Sequence, residues 1–219
     1  MTRKEYQNRG IGTKVFNSNV KANGRENIIL DAVMEKVHMY KRIGYTQSKL
    51  YFYTVTGIPN LNIISQYSDP SIDILSIKDE IPSDVIDYDS SVHKIPRENF
   101  LRVWISSRLS SAYCAVKNGV VVGYGVLRKE QPGDPDRLSG LYGDTPLVAR
   151  LLLMRLLKDA TKETVKIIVP YVPHSRELIN DIGISFLELP TSVRMYTQHD
   201  IPIAIDKVYS MMNNINLIA

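Results

Sequence analysis

Apolar and polar residues recur along this chain with two periods, which predict an α/β protein. Short apolar runs, and runs in which apolar and polar residues alternate, are typical of strands. They predict strands at residues 27–32, 50–55, 72–77, 112–117, 120–128, 138–142, 165–169, 185–189 and 193–197. Apolar residues three and four positions apart are typical of helices with one buried face. They predict helices at residues 12–22, 34–43, 82–90, 96–106, 146–160 and 175–182.

Turn residues indicate how several of these elements begin and end. Asn118-Gly119 separates two predicted strands and supplies the two positive-φ positions of a type I′ turn, which predicts a β-hairpin. Gly44 follows a predicted helix and suits the left-handed residue that closes it. Pro146 suits the first turn of the helix that it begins, with Asp144 or Thr145 as the N-cap.

A stretch without periodicity divides the chain near Gln66. Residues 58–70 are rich in Pro, Asn, Ser and Asp, as linkers are. We therefore expect two units, residues 1–66 and residues 67–219. Both contain a glycine turn, a helix, a strand, a helix that ends in glycine (Gly44 or Gly183) and a further strand, which predicts an internal repeat.

Composition favours a globular intracellular protein. Hydrophobic residues make up 44% of the 219 positions and charged residues 23%, enough for a sizeable core. The single cysteine, Cys114, cannot form an internal disulfide, so a cytoplasmic location is expected. The longest apolar run contains Arg155 and is far shorter than the roughly 20 residues that span a bilayer. No membrane segment is expected.

Charge is distributed unevenly between the two predicted units. Residues 1–66 contain 10 Lys or Arg and 4 Asp or Glu, whereas residues 67–219 contain 17 and 19. The basic residues are dispersed and accompany no nucleic-acid-binding motif, so the local excess favours a small anionic ligand over nucleic acid. The histidines lack metal-ligand spacing, so no metal is expected. Asp84, Asp87 and Asp89 are interpreted as a solvated helix face.

The most informative motif is Gln7-Asn8-Arg9-Gly10-Ile11-Gly12, followed by Thr13 and Lys14. Two glycines one residue apart let backbone amides approach a small anion without obstruction by Cβ atoms. A helix after them adds unpaired N–H groups and the positive end of its dipole. The spacing excludes both a Walker-type loop and a Rossmann fingerprint. The segment is predicted to hold a phosphate group, with a tight helix entry as the alternative.

A second motif, Tyr40-x-x-x-Gly44-Tyr45, ends the next helix after a strand. The two motifs in this order resemble the GNAT superfamily, the acyl-CoA-dependent N-acetyltransferases. In that family the Gln/Arg-x-x-Gly-x-Gly/Ala loop holds the pyrophosphate of CoA, and a tyrosine on the following helix can protonate the departing thiolate. The resemblance implies an enzyme that transfers an acetyl group from acetyl-CoA to an unidentified amine. The implied site residues are the catalytic acid Tyr40 and the CoA-binding residues Gln7, Asn8, Arg9, Gly10, Ile11, Gly12 and Thr13.

The resemblance extends to the second unit through Gly123-Tyr124-Gly125-Val126 and Gly140-Leu141-Tyr142-Gly143-Asp144. It implies two GNAT-like units with mixed, mostly antiparallel sheets flanked by helices. The first unit is expected to be incomplete, because only residues 1–5 precede the glycine loop where the family has several strands. In the second unit, Asp144 or Thr145 would cap the helix amides that a phosphate needs, and Asp144 would repel the phosphate.

The incomplete first unit leads to two expectations about its sheet. Residues 27–32 and 50–55 should be neighbouring strands, covered by the helices that begin near Gly12 and Met34. The outer edge of strand 27–32 should be open or have a substitute partner, and an open edge invites self-association. A non-catalytic binding or regulatory module on the same scaffold is the alternative to the enzyme.

Overall fold

A computed structural model describes residues 3–6, 9–12, 14, 18, 27–64, 66–186, 188–212 and 217–218. Six α-helices in this part of the chain are α1 (Val37–Arg42), α2 (Leu61–Ile64), α3 (Ser83–His93), α4 (Glu98–Ser106), α5 (Pro146–Leu157) and α6 (Pro173–Asp181). Its strands are β1 (Ile28–Val33), β2 (Thr46–Gly57), β3 (Ile72–Ser76), β4 (Ser110–Lys117), β5 (Val120–Arg128), β6 (Asp136–Gly143), β7 (Val165–Pro170), β8 (Ser192–Tyr196), β9 (Val208–Ser210) and β10 (Leu217–Ile218).

All of these strands belong to one sheet in the order β10-β1-β8-β2-β7-β6-β5-β4-β3, and β9 pairs with β6. Each pairing is antiparallel except that of β6 with β7. The predicted α/β fold with a mixed, mostly antiparallel sheet is therefore confirmed. The division into units 1–66 and 67–219 stays a prediction, although strands from both ranges pair with one another.

Helices cover both faces of the sheet because side chains of successive strand residues point to opposite faces. Tyr53 and Val55 of β2 pack in a core with Leu152 of α5 and Ile179 of α6. Phe52 packs on the opposite face, in a core with buried residues of α3 and α4. A smaller core joins β1 and β8 to the inner side of α1.

The central part of the sheet corrects one expectation. β1 and β2 lie in the same sheet, but β8 pairs with both and separates them. The connection through α1 leaves room for this strand, and Val193 and Met195 of β8 complete the small core beneath α1. On the other side of β1, Leu217 and Ile218 pair with Ile29 and Ile28 and provide a substitute partner at that edge.

Local predictions are confirmed where turn residues define them. Asn118 and Gly119 have φ values of 52° and 78° and join β4 to β5 as a hairpin. Gly44, with φ of 99°, follows α1 as expected. The strand predicted at residues 185–189 does not form among the described residues, and Leu189 there is 76% exposed. β9 was not predicted, because three residues carry too little periodicity to identify a strand.

Candidate functional site

The described part of the glycine loop is open to solvent. Arg9, Gly10, Ile11 and Gly12 are all exposed, while Gln7, Asn8 and Thr13 lie outside the described residues. Gly10 has φ of 70°, and a Cβ atom placed on it would meet no heavy atom within 4 Å. The carbonyl of Gly10 accepts a hydrogen bond from the amide of Lys14 at 3.0 Å. Gly10 thus has a left-handed backbone and, among the described residues, no neighbour close to its Cβ position.

Tyr40 lies in the last turn of α1, where the backbone reverses into β2. The amide of Tyr45 donates to the carbonyl of Tyr40 at 3.1 Å, and that of Gly44 donates to Lys41 at 3.2 Å. The two bonds and the positive φ of Gly44 close the helix in a Schellman-like turn. Tyr40 is half-buried, and its ring meets that of Tyr45 edge-on with 5.5 Å between centroids. Burial raises the pKa of Tyr45, and Tyr40 adds to that rise.

The end of α6 in the second unit has the same hydrogen bonds. The amide of Ile184 donates to Ile179 at 3.2 Å, and the amide of Gly183, which has φ of 73°, donates to Asn180 at 2.9 Å. Ile179 in α6 therefore has the same place relative to Gly183 as Tyr40 in α1 has relative to Gly44. It is fully buried and carries no proton to donate. Of the two equivalent helix ends, only the first carries a candidate acid at this position.

The turn before α5, which the predicted repeat matches with the glycine loop, is occupied by the protein's own side chains. The Thr145 hydroxyl accepts a hydrogen bond from the amide of Val148 at 3.3 Å and caps the helix, as predicted. Asp144 accepts a hydrogen bond from the Tyr88 hydroxyl at 3.0 Å and pairs with the Lys207 ammonium at 2.8 Å. Burial, and then Asp144, raises the pKa of Tyr88. A phosphate group would have to displace these partners.

The space between the parallel strands β6 and β7 is also filled by other residues of the same chain. β6 and β7 pair from Asp136 to Leu138, and β9 then pairs with β6 opposite Leu141 and Tyr142. The amide of Met211, directly after β9, donates to Ile168 of β7 at 2.9 Å. β9 therefore occupies the edge of β6 beyond its pairing with β7.

A charged cluster lies beneath this segment in the core of the second unit. The Arg97 guanidinium donates to both oxygens of Asp89, at 2.5 and 3.0 Å, and Tyr124 donates to the same carboxylate at 2.5 Å. Arg97 also contacts the sulfur of Met212 at 3.8 Å. Asp89 is only 1% exposed. Its interpretation as part of a solvated face was wrong, because it faces Arg97 and Tyr124, which local sequence does not place beside it.

A second buried ion pair joins the first and second predicted units. Asp31 of β1 stands opposite Arg194 of β8, and the Arg194 Nε donates to Asp31 at 3.2 Å. The side chains are 9% and 4% exposed. The sequence did contain a signal for this pair, a single carboxylate inside an otherwise apolar strand, but nothing local indicated its partner.

In the described ranges, no group of three or more His, Cys, Asp or Glu residues could hold a metal ion. None of the described helices is long and apolar enough to cross a membrane.

Comparisons with known proteins identify a family through a range that does not include the glycine loop or Tyr40. The model of the acetyltransferase (GNAT) domain matches residues 85–210, which is more than half of the chain. No curated protein matches the sequence.

Solved structures share the fold. A proposed acetyltransferase from Pyrococcus horikoshii superimposes with a TM-score of 0.72 and 22% identity, over 96% of this chain and 68% of that one. A tandem GNAT protein from the clavulanic acid biosynthesis pathway gives 0.56 and 12%, over 90% of this chain and 72% of that one. A GCN5-related N-acetyltransferase from Kribbella flavida gives 0.58 and 13%, and this chain covers 88% of its own length but 49% of the relative's.

Proposed function

Because the chain belongs to the GNAT family of acetyltransferases, we propose that it transfers an acetyl group from acetyl-CoA to an amine. The loop from Gln7 to Thr13 holds the pyrophosphate of CoA, and Tyr40 protonates the departing thiolate. The catalytic half of the chain is then the first unit, residues 1–66.

The observation that carries this proposal is the contrast between the two equivalent turns. In the second unit, Thr145 caps the helix, Asp144 is paired, and β9 fills the gap between the parallel strands. In the first unit, Gly10 has a positive φ, and no heavy atom of the described residues lies within 4 Å of its Cβ position. A ligand with a pyrophosphate therefore meets fewer competing groups at the first turn.

The chemistry requires no covalent intermediate on the protein. The neutral nitrogen of the acceptor attacks the thioester carbonyl, a C–N bond forms, and the C–S bond breaks with its electron pair on sulfur. Tyr40 gives its hydroxyl proton to that thiolate, and the proton that the nitrogen loses on becoming an amide restores the Tyr40 hydroxyl. Holding the two substrates together supplies most of the rate enhancement by removing the entropic cost of their encounter.

We also propose that the two units derive from one repeated GNAT-like element. The matching hydrogen bonds after α1 and α6 support this, because a strand, a helix and a glycine of positive φ recur in the same order. The order of strands in the sheet supports the repeat as well. β2 follows α1 and β8 follows α6 along the chain, and these two strands lie side by side between β1 and β7. The repeat explains how an open site and a closed one occur in one chain.

Calorimetric titration with acetyl-CoA tests the CoA site, using Gly10→Val and the matched control Gly133→Val. Gly133 also has a positive φ, of 96°, and open space around it, so both variants impose similar backbone strain of about 1–3 kcal/mol. We expect Gly10→Val to lose acetyl-CoA binding and Gly133→Val to keep it. Gly143→Val would be a poorer control, because its Cβ atom would meet the Ala149 amide at 3.2 Å.

A kinetic arm of the same experiment tests Tyr40. Tyr40→Phe should lower kcat while leaving acetyl-CoA binding intact, and Tyr51→Phe, in the same small core, should change neither. Equal binding by wild type and both glycine variants would remove the loop from the site. Absence of acetyl-CoA binding by wild type would favour the non-catalytic module.

A further inference from the structure

An open cavity of about 420 Å³ lies along α6, beside the short connection from β7. It is lined by Tyr171, Val172, Pro173, Arg176, Glu177 and Asn180. The last four of these residues share one face of the helix, because their positions are three and four residues apart. The volume falls within the range of small-molecule sites, about 300–1,000 Å³.

Arg176 brings to this cavity a guanidinium group without a carboxylate partner. The group lies over the Phe186 ring, 5.4 Å from its centroid, and it makes no hydrogen bond or ion pair within the part of the chain that the structure describes. Other arginines that stack on rings in this protein are each paired with an aspartate. They are Arg97, Arg150, Arg155 and Arg194. The donors of Arg176 are therefore available to a ligand.

The next residue, Glu177, adds the opposite charge. Its carboxylate is exposed and forms no hydrogen bond or ion pair with any residue of the described ranges. Asn180 also lines the cavity, one turn further along, and its exposed side-chain amide has no hydrogen-bond partner there either. One face of α6 thus presents a positive charge, a negative charge and a neutral amide next to one another.

Tyr171 supplies an aromatic wall that is held in place from behind. Its side chain is 52% exposed, and its ring meets the buried Tyr53 ring edge-on with 5.2 Å between centroids. Its amide donates to the carbonyl of Tyr51 at 2.9 Å, which fixes the backbone. Burial raises the pKa of Tyr53, Tyr171 adds to that rise, and the charge of Arg176 opposes it. Arg176 and Tyr171 therefore both lie close to the Tyr53 hydroxyl and so close to each other.

We propose that this cavity binds a small zwitterion that carries an aromatic ring, such as a free aromatic amino acid. Arg176 donates hydrogen bonds to the carboxylate, Glu177 accepts them from the ammonium group, and the ring packs against Tyr171. A simple anion would be repelled by Glu177 and a simple cation by Arg176, whereas a zwitterion satisfies both. The inference uses neither the loop around Gly10 nor Tyr40, so it is independent of the proposed function.

Four probes that differ in one feature at a time test the proposal. L-phenylalanine carries both charges and a ring, 3-phenylpropionate lacks the ammonium group, phenethylamine lacks the carboxylate, and L-alanine lacks the ring. Each is titrated into the full chain, and the amide chemical shifts are followed by NMR. We expect L-phenylalanine to bind at least about five-fold more tightly than each other probe, the upper range for a solvent-exposed ion pair. The shifts should change at the amides of residues 171–180.

Two single variants should reverse the preference between probes. Arg176→Gln should weaken L-phenylalanine binding about five-fold and make phenethylamine the preferred probe. Glu177→Gln should make 3-phenylpropionate the preferred probe. A variant that had merely lost its structure would bind every probe less well, so the reversal separates recognition of charge from loss of folding. The matched control is Arg155→Gln, because Arg155 also lies over a ring, that of Tyr113, but is paired with Asp159. It should keep the wild-type order.

Several results would overturn the proposal. One is a wild type that shows no saturable shift changes with L-phenylalanine, and another is equal affinity for the four probes. A third is an Arg176→Gln variant that keeps the wild-type order of affinities. Shift changes that spare residues 171–180 would show that L-phenylalanine binds at another place in the protein, and they would also contradict a site at this cavity.

Discussion

At the scale of single residues, the buried cluster around Asp89 shows how the second unit tolerates charge in its core. Arg97 and Tyr124 satisfy the carboxylate, and the His93 ring packs edge-on against Tyr142 with 5.2 Å between centroids. The His93 Nε2 has no hydrogen bond and lies 3.7 Å from Asp89. Burial lowers the pKa of His93 well below its usual value, and Arg97 and Arg194 lower it further. His93 is therefore neutral in the folded protein.

This neutral histidine predicts a pH-dependent loss of stability. The unfolded chain binds a proton at His93 below about pH 6.5 and the folded chain does not, so the free energy of unfolding falls as pH drops through that value. Between about pH 7.5 and about pH 5.5, urea unfolding of wild type should lose about 1.4 kcal/mol more than that of His93→Phe, which keeps an aromatic ring beside Tyr142. The exposed His38→Gln control should behave as wild type. Identical pH dependence of His93→Phe and wild type would contradict a neutral buried His93.

The same cluster shows why single residues are hard to assign from sequence. Asp84, Asp87 and Asp89 form one acidic run, and the first two are indeed exposed. What distinguishes Asp89 is contact with Arg97 and with a tyrosine 35 positions away. By contrast, the turn at Asn118-Gly119 was predictable, because its backbone preference lies within the two residues themselves.

At the scale of elements, the turn before α5 shows how a helix start can be stabilised without a bound anion. The first amides of a helix need acceptors, and either a phosphate or a capping side chain can supply one. Here Thr145 does so, and the Asp144–Lys207 pair joins the turn to the segment that leads into β9. Stability and ligand binding compete for the same groups.

Replacing the cap should therefore affect stability and leave the ligand unaffected. Thr145→Ala removes the acceptor for the Val148 amide and should lower the free energy of unfolding by about 1 kcal/mol. Acetyl-CoA affinity, measured by calorimetry, should match that of wild type because the proposed site is the loop around Gly10. Thr161→Ser, which keeps a hydroxyl beside Asp136, serves as the control for both measurements. Loss of acetyl-CoA binding in Thr145→Ala would place the ligand in the second unit.

Elements with strong local patterns were predictable, and those that depend on distant partners were not. α5 begins at Pro146 as expected, because proline and the cap residue lie next to each other in sequence. β9 has only three residues, and it forms a strand because it pairs with Leu141 and Tyr142, about 70 positions earlier in the sequence. Residues 185–189 illustrate the reverse case, since their apolar pattern predicts a strand but the described residues of this range pair with no other strand.

At the scale of the whole molecule, strand order ties the two predicted units into one sheet. β8 of the second unit lies between β1 and β2 of the first, and β2 continues the sheet to β7. The predicted internal repeat rests on two similar successions of elements in the sequence. Their interleaving was not predictable, because a pattern of elements does not specify which strand lies beside which.

This interleaving predicts that the two units unfold together. Phe52 of β2 is fully buried, and its ring lies beneath Arg194 while its neighbours in the strand pair with both β7 and β8. Phe52→Ala should lower the free energy of unfolding by about 3–5 kcal/mol.

Trp104 fluorescence reports on the second unit, and native-state hydrogen exchange of the β1 amides reports on the first. Both signals should shift to lower urea by the same amount, because neither unit keeps its strand partners alone. Leu189→Ala, at an exposed position, should shift neither. Exchange of the β1 amides at urea concentrations where the Trp104 signal is still native would show instead that residues 1–66 and 67–219 unfold as separate domains.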